Sequence, residues 1–362
     1  MKRVLILANS DSGLYQFRKE LIEELTEKYE VYASTPFGNY KSDIQKLGCR
    51  LGYTKLLDRR GTNPKRDLEL FHYYIRLLKK IRPDKVITFT IKPTVYGGLA
   101  CQKERIPYIS CVTGLGTAIE NGGLLSILAR NLYKAGLGKA ECTFFENKAN
   151  RDFFLREGIV SRKTKVVSGA GVNLDMHGFS DYPEADGKIK FLYVGRIMKD
   201  KGIDELLEAF GDLKFEYPYI SLDIVGGYDE DYSQKIEDMQ SRGILKYHGS
   251  RRDVDSFYQK ADCIVLPSYH EGMSNVLQEA SASGRPVIST DVPGCREVFE
   301  DEVTGFSCKA HDIASLKEAF IKFILLSHEK RAEMGRLARD KMEKEFDRRR
   351  VVSEYLSEIE SL

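Results

Sequence analysis

Residues Cys263–Thr290 read "CIVLPSYHEGMSNVLQEASASGRPVIST". "CIVLPS" is a short apolar run of strand length. "SNVLQEASASG" has a helical period, with Ser274 in an N-cap position and Gly284 closing it. "PVIST" is a second strand. Strands alternating with helices pair in parallel and carry helices on both faces of the sheet. The loop "YHEG" then falls at the carboxyl end of the first strand. Seven residues separate Glu271 in that loop from Glu279 in the helix. Glu279 lies in an apolar stretch, where a carboxylate is costly unless something partners it.

The same alternation runs outward in both directions. Behind this unit lie "KFLYVG" (190–195), "SLDIVGG" (221–227) and "KYHGS" (246–250), and ahead of it "GFSCK" (305–309). The first half offers "RVLILAN" (3–9), "VYAST" (31–35), "KVITFT" (85–90), "PYISCVT" (107–113), "CTFFEN" (142–147) and "TKVVS" (164–168). Helix-period segments lie between them. In "QFRKELIEELTEKY" (16–29), Phe17, Leu21, Leu25 and Tyr29 share one face. The expectation is two doubly wound α/β domains: 1–172, a polar linker at 173–189, and 190–346, with ligands in a cleft at the carboxyl ends of the strands. The charged stretch 329–362 is either one long surface helix or a helix broken near Phe346, whose last part, 347–362, crosses back to the first domain.

Composition narrows the class. The chain has 362 residues, 42% hydrophobic and 30% charged, which suits a soluble protein with real cores. No run approaches the ~18 apolar residues of a spanning helix, and "MKRVLILANSDSG" reads as a buried first strand rather than a signal peptide. The seven cysteines form no C-x-x-C pair, and several sit in strand-like runs, as buried reduced thiols of a cytoplasmic protein do. Residues 1–180 carry 30 Lys/Arg against 18 Asp/Glu, whereas 181–362 carry 26 against 36. A basic half suits an anionic partner, although a solvated surface is the alternative.

A second motif joins the first. "KFLYVG" runs into "GRIMKDKG", which puts Arg196 and Lys201 beyond a strand's carboxyl end, beside a helix opening at Gly202. Two cations there make an anion site suited to a diphosphate. "GRIMKDKG" followed by "PSYHEGMSNVLQEASASGRPVISTDVPGCREV" resembles the retaining glycosyltransferases of the GT-B fold, in particular the large family four. The resemblance spans most of the chain and is strongest over 190–310. It implies a GT-B architecture of two Rossmann-like domains facing a cleft, the first binding the acceptor and the second a nucleotide sugar. By that resemblance Glu271 holds the donor sugar, Glu279 the ribose, and Arg196 and Lys201 the diphosphate. Gly13, in the loop "SDSG", approaches the phosphates. Ser250 and Arg251, with Arg252, lie in the segment "YHGSRRDV" that reads the base. Gly272, Met273 and Ser274 bring backbone amides and a helix N-terminus to the phosphates.

The family's first-domain histidine is missing from the matching stretch "VTGLGT" (112–117), so no acid or base is assigned. His72 reads as a helix-surface residue, and His270 adjoins Glu271 without an assigned role. The implied chemistry is front-face retaining transfer, in which the leaving phosphate takes the acceptor's proton and the protein stabilises the departing charge. No metal or other cofactor is expected. Asp229-Glu230-Asp231 matches a metal-binding spacing but also suits the opening of a helix. The donor implied is a UDP-linked hexose or N-acetylhexosamine, UDP-GalNAc first. The acceptor implied is a polyprenyl-diphosphate-linked glycan of surface-polysaccharide assembly, with Lys92 and Thr113 as acceptor-binding candidates.

The alternatives are a sugar-nucleotide epimerase of the same architecture and a transferase with a soluble acceptor. A solute-binding protein fits less well without an export signal, and no nucleic-acid motif is present. "GGLLSILARNLYKAGLGK" (122–139) sets Leu124, Leu125, Ile127 and Leu128 beside Arg130, Lys134 and Lys139. It is either a core helix with a basic outer side or a surface that dips into an anionic membrane from the cytoplasmic face.

Overall fold

A computed structural model describes residues 1–54, 63–116, 119 and 122–362. They form two compact units, Met1–Ala170 with Arg349–Leu362, and Gly171–Arg348. The polar segment 173–189, read from sequence as a linker between domains, is therefore part of the second unit.

In the first unit, seven parallel strands stand in the order β3-β2-β1-β4-β5-β6-β7. They are β1 (Arg3–Leu7), β2 (Glu30–Thr35), β3 (Arg50–Tyr53), β4 (Lys85–Phe89), β5 (Tyr108–Val112), β6 (Cys142–Phe145) and β7 (Thr164–Val166). Period-2 alternation divides the central strands between two cores. Val4 and Ile6 of β1 pack with Leu14, Leu21, Ile22 and Leu25 of the helix Asp11–Lys28. Leu5 and Leu7 face the other way, onto Leu70, Tyr74 and Leu78 of the helix Pro64–Ile81. Both faces are thus covered, which is why the central strands read as unbroken apolar runs. The buried side of the first helix also includes Arg18, a position that the apolar pattern leaves out.

The second unit holds six parallel strands in the order β10-β9-β8-β11-β12-β13. They are β8 (Ile189–Val194), β9 (Ile220–Val225), β10 (Leu245–Tyr247), β11 (Cys263–Leu266), β12 (Val287–Thr290) and β13 (Gly305–Cys308). All six match strands expected from sequence. The stretch 329–362 is broken: the helix His328–Lys341 passes into a π-turn at Met342–Phe346, and a new helix begins at Arg348. Val351, Val352, Tyr355 and Ile359 of that last helix belong to the first unit's core.

In each sheet the strand order reverses once, between β1 and β4 and between β8 and β11. Loops leaving the carboxyl ends at such a point diverge and leave a crevice.

Candidate active site

At the second unit's switch point, the loop after β8 meets the loop after β11. Two glycines make the approach possible. Gly202 has φ +69, and a Cβ on it would lie 2.0 Å from the Pro267 carbonyl oxygen. Gly294 has φ +86, and its Cβ would lie 2.5 Å from the Glu271 carbonyl oxygen. Only glycine fits both the left-handed backbone and the missing space. The backbone N–H of Tyr269 then donates to the Asp200 carbonyl at 3.0 Å, tying the two loops together.

Lys201 and Glu271 form an ion pair here, with side chains only 16% and 15% exposed. The Ser268 hydroxyl donates to the same Glu271 oxygen at 2.9 Å. A partly buried ammonium and carboxylate at this spot form a polarised pair that an anionic ligand can reorganise. Arg196, from the same β8 loop, pairs with Asp229 and is more exposed. Its carbonyl accepts from the Tyr193 hydroxyl at 2.7 Å. Asp231 accepts from the Ser233 hydroxyl at 2.7 Å and from its backbone N–H, so it stabilises a helix start. Asp229 and Asp231 are thus separately engaged, and no cluster of metal-ligating side chains occurs among the described residues.

Glu279 projects from the helix Asn275–Ala282. Ser274 caps that helix, accepting from Leu277 N–H at 3.3 Å. The Tyr258 hydroxyl donates to Glu279 Oε2 at 2.9 Å, and His177 Nε2 stands 3.9 Å from Oε1. Burial pushes the Glu279 carboxyl up, against the opposing pull of His177, Tyr258 and Arg348. The ribose implied by the resemblance would not be the carboxylate's first partner, because the folded chain already engages it through Tyr258. Neither Tyr258 nor His177 carried a local signal, because both pairings are long-range.

The remaining candidates divide. Gly272 stands in the loop beside Glu271, close to the Gly294 turn. Met273 is buried in the second unit's core, so only its backbone is available to a ligand. Ser250 and Arg251 are exposed beyond β10. Gly13 is not in a loop as expected: Ser10 caps the helix Asp11–Lys28 by accepting from Gly13 N–H at 2.9 Å, which puts Gly13 in the first helical turn.

In the first unit, Thr113 follows β5 directly and is half-buried. The Lys92 ammonium is held by Asp67 at 2.7 Å, and Tyr96 donates to the other oxygen of Asp67 at 2.9 Å. Lys92, like Lys201, therefore stands as the cation of a largely buried ion pair rather than as a bare charge. His72 lies on the exposed helix surface, bonded to the Leu68 carbonyl. Thr117 of the stretch 112–117 lies outside the described residues. Two features of this unit had no sequence signal. Thr90, just past β4, has φ +70 and a buried hydroxyl oxygen without a hydrogen-bond partner among the described residues. Arg18 forms a buried ion pair with Glu146 at 3.0 Å, its guanidinium 4.7 Å from the Phe89 ring centroid.

Two doubly wound parallel sheets, with a charged site at the second switch point, define the architecture of a GT-B transferase. Comparison with known proteins agrees. Residues 3–147 match the family described as "Glycosyl transferase 4-like" and residues 179–341 "Glycosyl transferases group 1". The chain is thus built from a glycosyl transferase 4-like domain and a group 1 glycosyl transferase domain. It is 29% identical over 346 residues, 91% of this chain and 90% of the other, to the N,N'-diacetylbacillosaminyl-diphospho-undecaprenol alpha-1,3-N-acetylgalactosaminyltransferase of Campylobacter jejuni. Its fold is that of Anabaena HepE, solved with UDP and glucose (TM-score 0.82, 18% identity, all of both chains). Sucrose-phosphate synthase of Thermosynechococcus elongatus shares the fold as well (TM-score 0.80, 20% identity, 100% of this chain and 99% of the other).

Proposed function

We propose that the enzyme transfers a hexose or N-acetylhexosamine with retention, without a metal, from a UDP-sugar to a polyprenyl-diphosphate-linked sugar. UDP-GalNAc is the first donor to test. The observation that carries this reading is the Lys201–Glu271 pair at the second switch point. A donor diphosphate beside Lys201 would draw the ammonium to itself and release Glu271 to accept from hydroxyls of the sugar. Glu279 would accept from the ribose, and backbone N–H groups around Gly272–Ser274 would face the phosphates. The bond between the anomeric carbon and the diphosphate oxygen breaks, and its electron pair leaves with UDP. The acceptor oxygen attacks the same face, and its proton passes to the departing phosphate. Arg196 and Lys201 stabilise the charge that grows there.

The acceptor reading draws on the likeness to the Campylobacter enzyme. No helix among the described residues is long and apolar enough to cross a membrane. The surface offered instead is the helix Gly123–Leu137, where Leu124 is 86% exposed and Leu125, Ile127 and Leu128 are about half exposed. With Arg130 and Lys134 on the same helix, it suits peripheral docking on an anionic inner membrane face. Incubating labelled UDP-sugars with a polyprenyl-diphosphate-linked glycan, and determining the product's anomeric configuration by NMR, tests the reaction. Turnover of UDP-GalNAc into an α-linked product is expected. Inversion, or conversion of the donor without an acceptor, would overturn the reading. Sedimentation with anionic vesicles tests the surface: Leu124→Glu with Leu125→Glu should abolish binding, and unchanged binding would remove this helix from the membrane contact.

A further inference from the structure

His177 lies in the polar segment before β8, where sequence pattern assigns no role, yet it is only 7% exposed. Its Nδ1 is 2.6 Å from Asp255 Oδ1. A carboxylate only accepts, so Nδ1 carries the proton of that bond. The other ring nitrogen faces Glu279 Oε1 at 3.9 Å, beyond a hydrogen bond but well within the range of charge. The ring thus stands between two carboxylates on two elements. The backbone fixes it there: His177 N–H donates to the Asn173 carbonyl at 2.9 Å. One Arg339 nitrogen donates to the carbonyls of both His177 (3.0 Å) and Ala282 (2.8 Å), fastening the segment to the end of the Glu279 helix.

We propose that His177 is a positioning residue for the nucleotide site, holding Glu279 ionised and aimed, and that it makes nucleotide affinity depend on pH. The proposal rests on the reading that Glu279 binds the ribose. The sign follows from the two ring states. With Nδ1–H committed to Asp255, a neutral ring turns a bare lone pair toward Glu279, whereas the imidazolium turns an N–H and a positive charge toward it. The other groups that bear on this chain are Tyr258, which donates to Glu279, Arg339 at the His177 carbonyl, and Arg348, whose charge acts on Glu279. None of these replaces the ring between the two carboxylates. Affinity is therefore highest where the ring is protonated while Glu279 is still ionised; it falls as rising pH removes the ring's proton, and also where falling pH protonates the carboxyl that burial pushes up.

Calorimetric titration with UDP at a series of pH values from about pH 5.5 to about pH 8.5 tests this. The four proteins are the wild type, His177→Gln, Asp255→Asn and Glu279→Gln. Ionisation of UDP itself is common to all four, so only differences between them count. His177→Gln should raise Kd about tenfold at the acid end, the size of one charge-assisted contact, and should flatten the excess pH slope. Weakened binding in Glu279→Gln together with unchanged affinity and slope in His177→Gln would overturn the role of His177 alone. Unchanged binding in Glu279→Gln would instead overturn the ribose assignment beneath it. If His177→Gln does not fold, Asp255→Asn decides: it keeps the ring but removes its anchor, and an unaltered slope there refutes the proposal.

Discussion

The two sheets share a topology but use their switch points differently. In the second unit, the loops after β8 and β11 interlock through Gly202, the Tyr269 amide and the Lys201–Glu271 pair, so a cation and a carboxylate face the crevice. In the first unit, the described charges near the corresponding strand ends are tied to other elements of the chain. Asp11, after β1, accepts from the amides of Gly38 at 2.6 Å and Tyr40 at 3.0 Å. Lys92, after β4, is held by Asp67, and Arg18 by Glu146. Among the described residues at the first unit's switch point, Thr90 stands out for its left-handed backbone. The fold supplies the place for a ligand, and the loops decide which chemistry is offered there.

The difference can be broken most strongly at Glu146. Glu146→Ala leaves Arg18 charged and nearly sealed between Phe89 and Tyr355. Breaking such a buried pair costs about 3–5 kcal/mol. Urea unfolding should show that loss, and replacing both partners with apolar residues should recover much of it. A loss within experimental error would mean that the aromatic rings and water satisfy the guanidinium.

Lys201→Ala is the corresponding cut in the second unit, but it should show in rate rather than stability. Losing one group that meets charge growing in the transition state costs on the order of 10²–10³ in kcat. The donor KM should move far less, because the charge on the diphosphate increases as the bond breaks. A variant that loses donor affinity at unchanged kcat would make Lys201 a ground-state binder only. Added Mg²⁺ or a chelator should change neither protein's rate; restoration of the variant by Mg²⁺ would point to metal chemistry.

A third cut separates loop geometry from loop charge. Gly202→Ala places a methyl group against the Pro267 carbonyl in a left-handed backbone and should cost about 2 kcal/mol or more, with activity falling as the loops part. Gly227→Ala, where a Cβ meets nothing within 4 Å, should cost little in stability and is the matched control. Equal melting temperatures for the two variants would show that the interlocking is not rigid.

How far the sequence reached follows the range of the forces involved. The strands of the second unit were legible because β11 and β12 are buried on both faces and β9 alternates buried with half-buried positions. Lys201 and Glu271 were legible because each lies just past such a strand. β3 was not: it is a four-residue edge strand containing Gly52, with little apolar pattern to read. Gly13 was misplaced because Ser-Asp-Ser-Gly suits both a loop and a capped helix start. Arg18 on a buried helix face, and Tyr258 and His177 at Glu279, depend on partners 128, 21 and about a hundred residues away, and a local pattern cannot contain them.

The smallest expected effect is the most informative about the first unit. A β-branched residue at φ +70 is disfavoured by about 1 kcal/mol or more, and Thr90 also buries an oxygen with no hydrogen-bond partner among the described residues. The Thr90 carbonyl does accept from Thr94 N–H at 3.0 Å, which ties the strained turn to the segment that follows it. If the surrounding fold holds Thr90 in this state for the acceptor side of the reaction, Thr90→Gly should stabilise the protein by up to about 1 kcal/mol while raising the acceptor KM. Thr90→Ser keeps the hydroxyl and relieves the branching, so it should retain most of the activity. Chemical denaturation beside acceptor-dependent kinetics separates the two effects. A glycine variant that is more stable and equally active would make the strain a by-product of the turn after β4 rather than a part of the acceptor side.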